Sequence, residues 1–222
     1  MPVITISREF GSGATKIAQH LCDVLGYSYF DKDLMAQVAG EMDVSQDNVV
    51  DFSEDTYRMR SFFERLFGRR HLQIEDHAAM ASSTGTTPSV LTVETLSEAA
   101  GIKLVRDTIV AAYEQDNVVI VGRGGQAVLR DKPGVLHVRM IAPLGARAMR
   151  VKDRMGITLS EATDICRSKD QSALAYLSRF YHIDWDNPLL YHMIINTGKW
   201  EIADVAQVII GALVNLKTVA QL

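Results

Sequence analysis

The stretch ISREFGSGATKIA, residues 6–18, sets Gly11 and Gly13 between a β-branched run and a helical pattern. That arrangement suits anion chemistry: glycines let backbone N–H groups turn inward around phosphate oxygens, and a helix N-terminus adds partial positive charge. In the pattern GxxxxGK[ST], a lysine then spans the outer phosphates and a hydroxyl holds magnesium. Gly11, Ser12 and Gly13 meet the first need, but Ala14 stands in the lysine position. Lys16 falls in the hydroxyl position if the helix starts in register. Thr15 could instead supply the hydroxyl, and Lys16 or Arg8 the missing cation. A glycine turn alone also occurs in many strand–helix junctions that hold no ligand.

Other residues with chemical capacity lie far along the chain. Asp31 closes the run YSYFD and could bind a magnesium-held water or a donor ribose, or simply cap the next helix. Arg123 follows the apolar run VVIV directly and sits in a glycine turn. Arg147, Arg150 and Arg154 recur at near-helical spacing, so one face carries three guanidiniums; these either close over a phosphate or form a solvated face paired with Asp153 and Glu161. Asp170 either orients such arginines or is an ordinary helix-surface acid. Phe180, Tyr181, Trp185 and Tyr191 fit core or lid packing better than a base-stacking platform. His71, His77, His137, His182 and His192 show no metal-ligand or general-base spacing.

The elements that must position these residues follow from hydrophobic period. Strands are expected at 3–7, 27–31, 117–125, 134–143 and 190–198. Helices are expected from Thr15 to Leu25 with Gly26 as the stop, at 32–41, at 97–115 with Ser97 as N-cap, through the charged runs after Pro143, and at 201–216. Residues 43–95 are irregular, with an amphipathic helix at 54–71 and a Gly/Pro loop at 81–89. They read as an insert over the site, being too short for a core of their own. Strands apolar on both faces and separated by helices imply a parallel sheet covered on both sides, with ligands at the strand carboxyl ends. Arg8 to Thr15, Asp31 and Arg123 all follow strands, so they converge on one sheet edge.

Composition limits the classes. At 222 residues, 47% hydrophobic and 23% charged, the chain is one globular domain. A formal charge of −4 shows no global basic bias, which argues against non-specific nucleic-acid binding. Cys22 and Cys166 have no metal spacing and read as small buried residues. The opening MPVITIS has no signal-peptide pattern, and no apolar run is long enough to span a membrane, so a soluble cytoplasmic protein is expected.

ITISREFGSGATKIAQHLCDVLGYSYFDKDLM resembles the opening of the cytidylate kinase-like family, a divergent branch of the nucleoside monophosphate kinases. That branch also has an SRE-aromatic-GSG loop without the usual lysine. The resemblance continues through VVIVGRGG and FYHIDWDNPLLYHMIINTGK, while residues 43–95 match poorly. It implies a three-layer α/β P-loop sheet of about five parallel strands, with a monophosphate-binding insert at 43–95 and a lid at 144–188. It implies ATP and magnesium, a nucleoside monophosphate acceptor (CMP or dCMP first), and small-molecule nucleotides as partners; whether the chain forms a homodimer stays open. Residues 11–16 and Arg8 would hold the donor, with Thr15 and Asp31 at the metal. Ser97, Arg106, Asp31 and Arg123 would hold the acceptor. Lys16, Arg123, Arg154 and Asp170 are the expected catalytic groups.

The departures matter too. The family's GRD aspartate is Gly124 here, a phosphate-binding arginine is Gln37, an acid before GR is Val121, and lid arginines are replaced at Ser172 and Ala173. These leave two alternatives: a nucleotide-binding regulatory protein without kinase activity, or a kinase of another small acceptor.

Overall fold

The computed structural model describes residues 2–30 and 98–216. The expectations at Asp31, Gln37, the 43–95 insert and Ser97 lie outside them. In chain order the elements are β1 (Val3–Arg8), α1 (Ala14–Leu25), β2 (Ser28–Phe30), α2 (Glu98–Glu114), β3 (Val118–Val121), α3 (Gly125–Val128), β4 (Val135–Ile141), α4 (Leu144–Met155), α5 (Leu159–Tyr181), β5 (Met193–Asn196) and α6 (Ile202–Val214), with 3-10 turns at Pro188–Leu190 and Thr197–Lys199. All five strands are parallel, in the order β2-β3-β1-β4-β5. β1 is therefore central and delivers its following loop to the middle of the sheet edge.

Alternation along β1 divides the two faces. Ile4 and Ile6 face α1 and α6 in a core that includes Ile17, Leu21, Val205 and Ile209. Val3 faces the other way, with Phe30, Ile120 and Val135 beneath Leu104, Val105 and Ile109 of α2. The three inner strands are buried except for the last residues of β1 and β4, Arg8 and Ile141. On the edge strand β5, Ile194 is exposed and only Ile195 is buried, so the expectation of strands apolar on both faces fails at the sheet margin. The fifth strand is also shorter than expected, because 3-10 turns take up its ends. α3 follows the glycine turn directly and has no periodic signature, being too short to show one.

Helix limits follow local chemistry. α1 stops where Gly26 takes φ +66, and α4 stops where Gly156 takes φ +67. α5 opens on a capping box, Thr158 accepting from the Glu161 N–H while Glu161 accepts from the Thr158 N–H. No described helix is long and apolar enough to cross a membrane. Burial raises both cysteine thiols, Cys22 to about 11, so neither is a ready thiolate.

Toward the carboxyl ends of β1 and β4 the second face turns polar, with Thr5, Ser7, His137 and Arg139 all buried. Trp185 Nε1 donates to Ser7 Oγ at 2.6 Å, and Tyr191 Oη donates to the Trp185 carbonyl at 2.9 Å. Arg139 stacks over Trp185 at 4.2 Å and reaches Asp186 at 2.6 Å. Trp185 and Tyr191 are thus core residues, as their sequence setting suggested. Thr5 Oγ1 lies 2.6 Å from His137 Nδ1, and the His137 and His192 rings stack at 5.2 Å.

Burial first, then the neighbouring His192, holds His137 down to about 4. Its neutral form is the folded one, so its stabilisation is complete above the unfolded value near 6.5 and is lost as pH falls from there to about 4. Urea denaturation across that window should show up to about 3 kcal/mol of loss that His137→Gln does not share.

Candidate functional site: a phosphate loop without its lysine

The loop between β1 and α1 owes its shape to Gly11 and Gly13, at φ +81 and +88. A Cβ at Gly11 would lie 2.9 Å from the Arg147 carbonyl oxygen, so only glycine lets α4 approach there. Gly13 is the N-cap of α1 and supplies no side-chain cap, and the first turn holds no acid. The positive end of the helix is left for an external anion.

Arginines hold the loop from behind. Arg147, buried on α4, donates from Nη1 to the Phe10 carbonyl at 3.0 Å and to Asp170 Oδ2 at 2.7 Å, and from Nε to the Ala142 carbonyl at 2.9 Å. Glu9 lies 3.3 Å from Arg147 Nε and accepts from the Ala142 N–H at 2.9 Å. The Phe10 N–H donates to Asp170 Oδ1 at 2.8 Å. Further along, Thr197 Oγ1 donates to the Ser12 carbonyl at 2.6 Å, and Arg150 donates to the same carbonyl at 3.2 Å and to the Thr197 carbonyl at 2.7 Å. In a trans peptide the C=O and the next N–H point in opposite directions. Pinning the carbonyls of Phe10 and Ser12 therefore turns the N–H groups of Gly11 and Gly13 away from the arginines. Neither has an acceptor among the described residues.

A cavity of about 770 Å³ opens over the loop. Arg8, Gly11, Ser12, Gly13, Ala14, Thr15, Lys16 and Arg154 of the expected set all line it. So do Arg150, one of the three α4 arginines, and Thr197, Lys199 and Trp200, which the sequence argument did not assign; the run NTGKW carries the last three, and only its position after the last strand could have pointed to them. The helix begins at Ala14, directly after Gly13. The residue after the lysine position is hence Thr15, and the hydroxyl position is Thr15's, which corrects the assignment to Lys16. Thr15 and Lys16 are both exposed on the first turn. Ser12 Oγ is buried without a partner among the described residues.

The three arginines of α4 have different roles. Arg147 and Arg150 are spent on the loop backbone, and neither pairs with Asp153 or Glu161. Arg154, exposed like Arg150 but making no hydrogen bond to the loop backbone, lies 5.4 Å over the Phe10 ring at the cavity wall. Asp170 grips the loop backbone and Arg147 together, so it acts on the loop's position. α4 and α5 pack directly on each other through Ala148, Val151, Ala162 and Cys166.

The acceptor candidates lie elsewhere on the same sheet edge. Arg123 sits in the turn after β3, where Gly122, Arg123 and Gly124 have φ +74, +57 and +76. A left-handed arginine costs roughly 1 kcal/mol, which its surroundings must offset. Arg106 is exposed on α2 and lines a separate cavity of about 540 Å³ with Val128 and Phe180. It does not reach the loop cavity. Among the described residues no cluster of three His, Cys, Asp or Glu side chains could hold a metal.

A central β1 in a 2-3-1-4-5 parallel sheet, followed by a glycine loop that presents amides at a helix N-terminus, defines the class: an α/β protein of the phosphate-loop fold. More narrowly, the chain belongs to the cytidylate kinase-like family, which it matches over residues 3–199. It is 23% identical over 216 residues to a cytidylate kinase of Methanocella arvoryzae, covering 97% of this chain and 98% of that protein. With a cytidylate kinase of Thermococcus sibiricus it shares 28% identity over 200 residues, 89% of this chain and 80% of the relative. Among solved structures, an uncharacterized protein from Eubacterium ventriosum aligns with a TM-score of 0.63 at 19% identity, covering 96% and 98% of the two chains. A gluconokinase from Sinorhizobium meliloti aligns at 0.52 and 10% identity, covering 97% and 93%. Both structural likenesses concern the fold.

Removing the Asp170 carboxylate leaves buried Arg147 with Glu9 as its one remaining acid and the Phe10 N–H without its acceptor. Asp170→Ala should cost about 2–4 kcal/mol in a denaturant titration, and ATP affinity should fall with it.

Proposed function

We propose that the protein transfers the terminal phosphoryl group of ATP to a nucleoside monophosphate, with CMP and dCMP the first candidates, giving ADP and the nucleoside diphosphate. The observation that carries this reading is the loop itself: Gly11 and Gly13 amides turned outward at an uncapped helix N-terminus, at the floor of a cavity of about 770 Å³. The cytidylate kinase relatives support the choice of acceptor class.

Phosphoryl transfer depends on positioning and on neutralising spreading negative charge more than on covalent chemistry. The loop amides hold the donor phosphates. Lys16, one residue past the hydroxyl position, supplies the cation that Ala14 does not, and Arg154 adds charge from the α4 wall. Lys199, in the turn tied to the loop by Thr197, is a further cation lining the cavity. The donor chemistry suits magnesium: Thr15 offers a hard oxygen at the cavity, Ser12 Oγ is a buried hydroxyl without a partner among the described residues, and Asp31 would complete the set from the end of the second strand. When bound, magnesium neutralises charge between the outer phosphates. Arg123, Arg106 and Ser97 hold the acceptor.

A second reading, nucleotide binding without turnover, is favoured by one feature beyond the missing lysine. A Cβ at Gly124 would lie 2.5 Å from the Tyr181 ring, so the acid that the family's enzymes carry there would require that ring to move. Purified protein with ATP, magnesium and a panel of monophosphates separates the readings. Turnover with CMP is expected, whereas ATP binding with no turnover on any acceptor would favour the second.

The cation assignment has its own test. Lys16→Ala should weaken ATP binding by tenfold or more, about 1.4 kcal/mol, in calorimetric titration. Unchanged affinity in that variant, with a tenfold loss in Lys199→Ala, moves the role to the turn after β5.

A further inference from the structure

Three successive left-handed residues in the turn after β3 need something to hold them. The ends of the turn are fixed by backbone. The Gly122 N–H donates to the Ile6 carbonyl at 2.9 Å, and the Ala127 and Val128 N–H groups donate to the Gly124 carbonyl at 2.8 and 2.9 Å. The middle is held by a side chain from 58 residues away: Tyr181 Oη donates to the Arg123 carbonyl at 3.3 Å. Its ring lies against the Cα of Gly124, in the space a Cβ would enter. Tyr181 is itself placed by an edge contact with Tyr176, 5.8 Å between centroids, and Tyr176 is fully buried.

We infer that Tyr181 is the positioning residue of the acceptor side, holding the Gly122–Gly124 turn so that Arg123 presents its guanidinium to the acceptor's phosphate. This rests on the reading that Arg123 binds that phosphate. Pinning the carbonyl of a residue in a costly backbone conformation removes its freedom to relax to negative φ.

Calorimetric titration of CMP and, separately, of ATP into the wild-type protein, Arg123→Ala, Tyr181→Ala and Tyr181→Phe tests the assignment, with thermal melts of each. Arg123→Ala and Tyr181→Ala should each weaken CMP at least tenfold while ATP stays within twofold. Tyr181→Phe, which keeps the ring, should lose threefold or less. If Tyr181→Ala binds CMP as the wild type does while Arg123→Ala loses it, the role of Tyr181 is overturned and the acceptor reading stands. If Tyr181→Ala weakens CMP and ATP in parallel, its role is general packing and the assignment is overturned. If Arg123→Ala binds CMP unchanged, or the wild type binds none, the acceptor reading fails and the assignment falls with it.

Discussion

The glycine loop after β1 depends on one buried guanidinium. Arg147 meets two carboxylates, Glu9 and Asp170, and two backbone carbonyls, Phe10 and Ala142, so its charge is compensated where it would otherwise be costly to bury. Its partners come from β1's loop, the β4–α4 junction and α5, all of which meet α4 at this point. The function of that convergence is orientation. With the Phe10 carbonyl drawn back, the next amide must face forward, and a flexible glycine loop becomes a fixed set of donors. Glycine supplies the freedom to adopt the shape; the arginine takes that freedom away again.

Much of this was legible in the sequence, and the reasons differ by element. Inner strands such as VVIV and helices closed by Gly26 and Gly156 announce themselves through period and punctuation, which are local properties. The edge strands were overread, because the sequence shows that Ile194 is apolar but not that nothing covers it. The arginines at 147, 150 and 154 are the clearest failure. Their spacing placed them on one helix face, yet tertiary contacts divided them: Arg147 is buried against the loop backbone, Arg150 holds backbone from the cavity wall, and Arg154 stands over the Phe10 ring. Thr197, Lys199 and Tyr181 were missed as site residues for the same reason. Each acts on a loop more than 50 residues away, and no spacing rule reaches that far.

The sheet's second face shows a related economy. Its polar patch of Thr5, Ser7, His137 and Arg139 lies under an aromatic cover from 176–191, and the hydroxyls, imidazoles and indole there satisfy one another. An apolar patch of equal volume would pack as well without fixing which residue faces which. Hydrogen bonds such as Trp185 to Ser7 set the register of the 182–192 segment on the sheet, and with it the end of α5.

That helix is where the glycine loop and the turn after β3 meet mechanically. Asp170 and Tyr181 lie on the same helix, about 16 Å apart along its axis. One takes the Phe10 N–H of the phosphate loop and the other the Arg123 carbonyl of the opposite turn. A 23-residue helix with a capping box at its start and aromatic packing at its close is stiff on that length scale. The two loops are consequently referred to one rigid body and not to each other through the sheet edge alone. A missing lysine matters less in such a design, since it removes one cation from the cavity but leaves the amides aimed. What a phosphoryl-transfer site cannot lose is the fixed separation between the group that holds the donor and the group that holds the acceptor. On the proposed reading, α5 carries that separation.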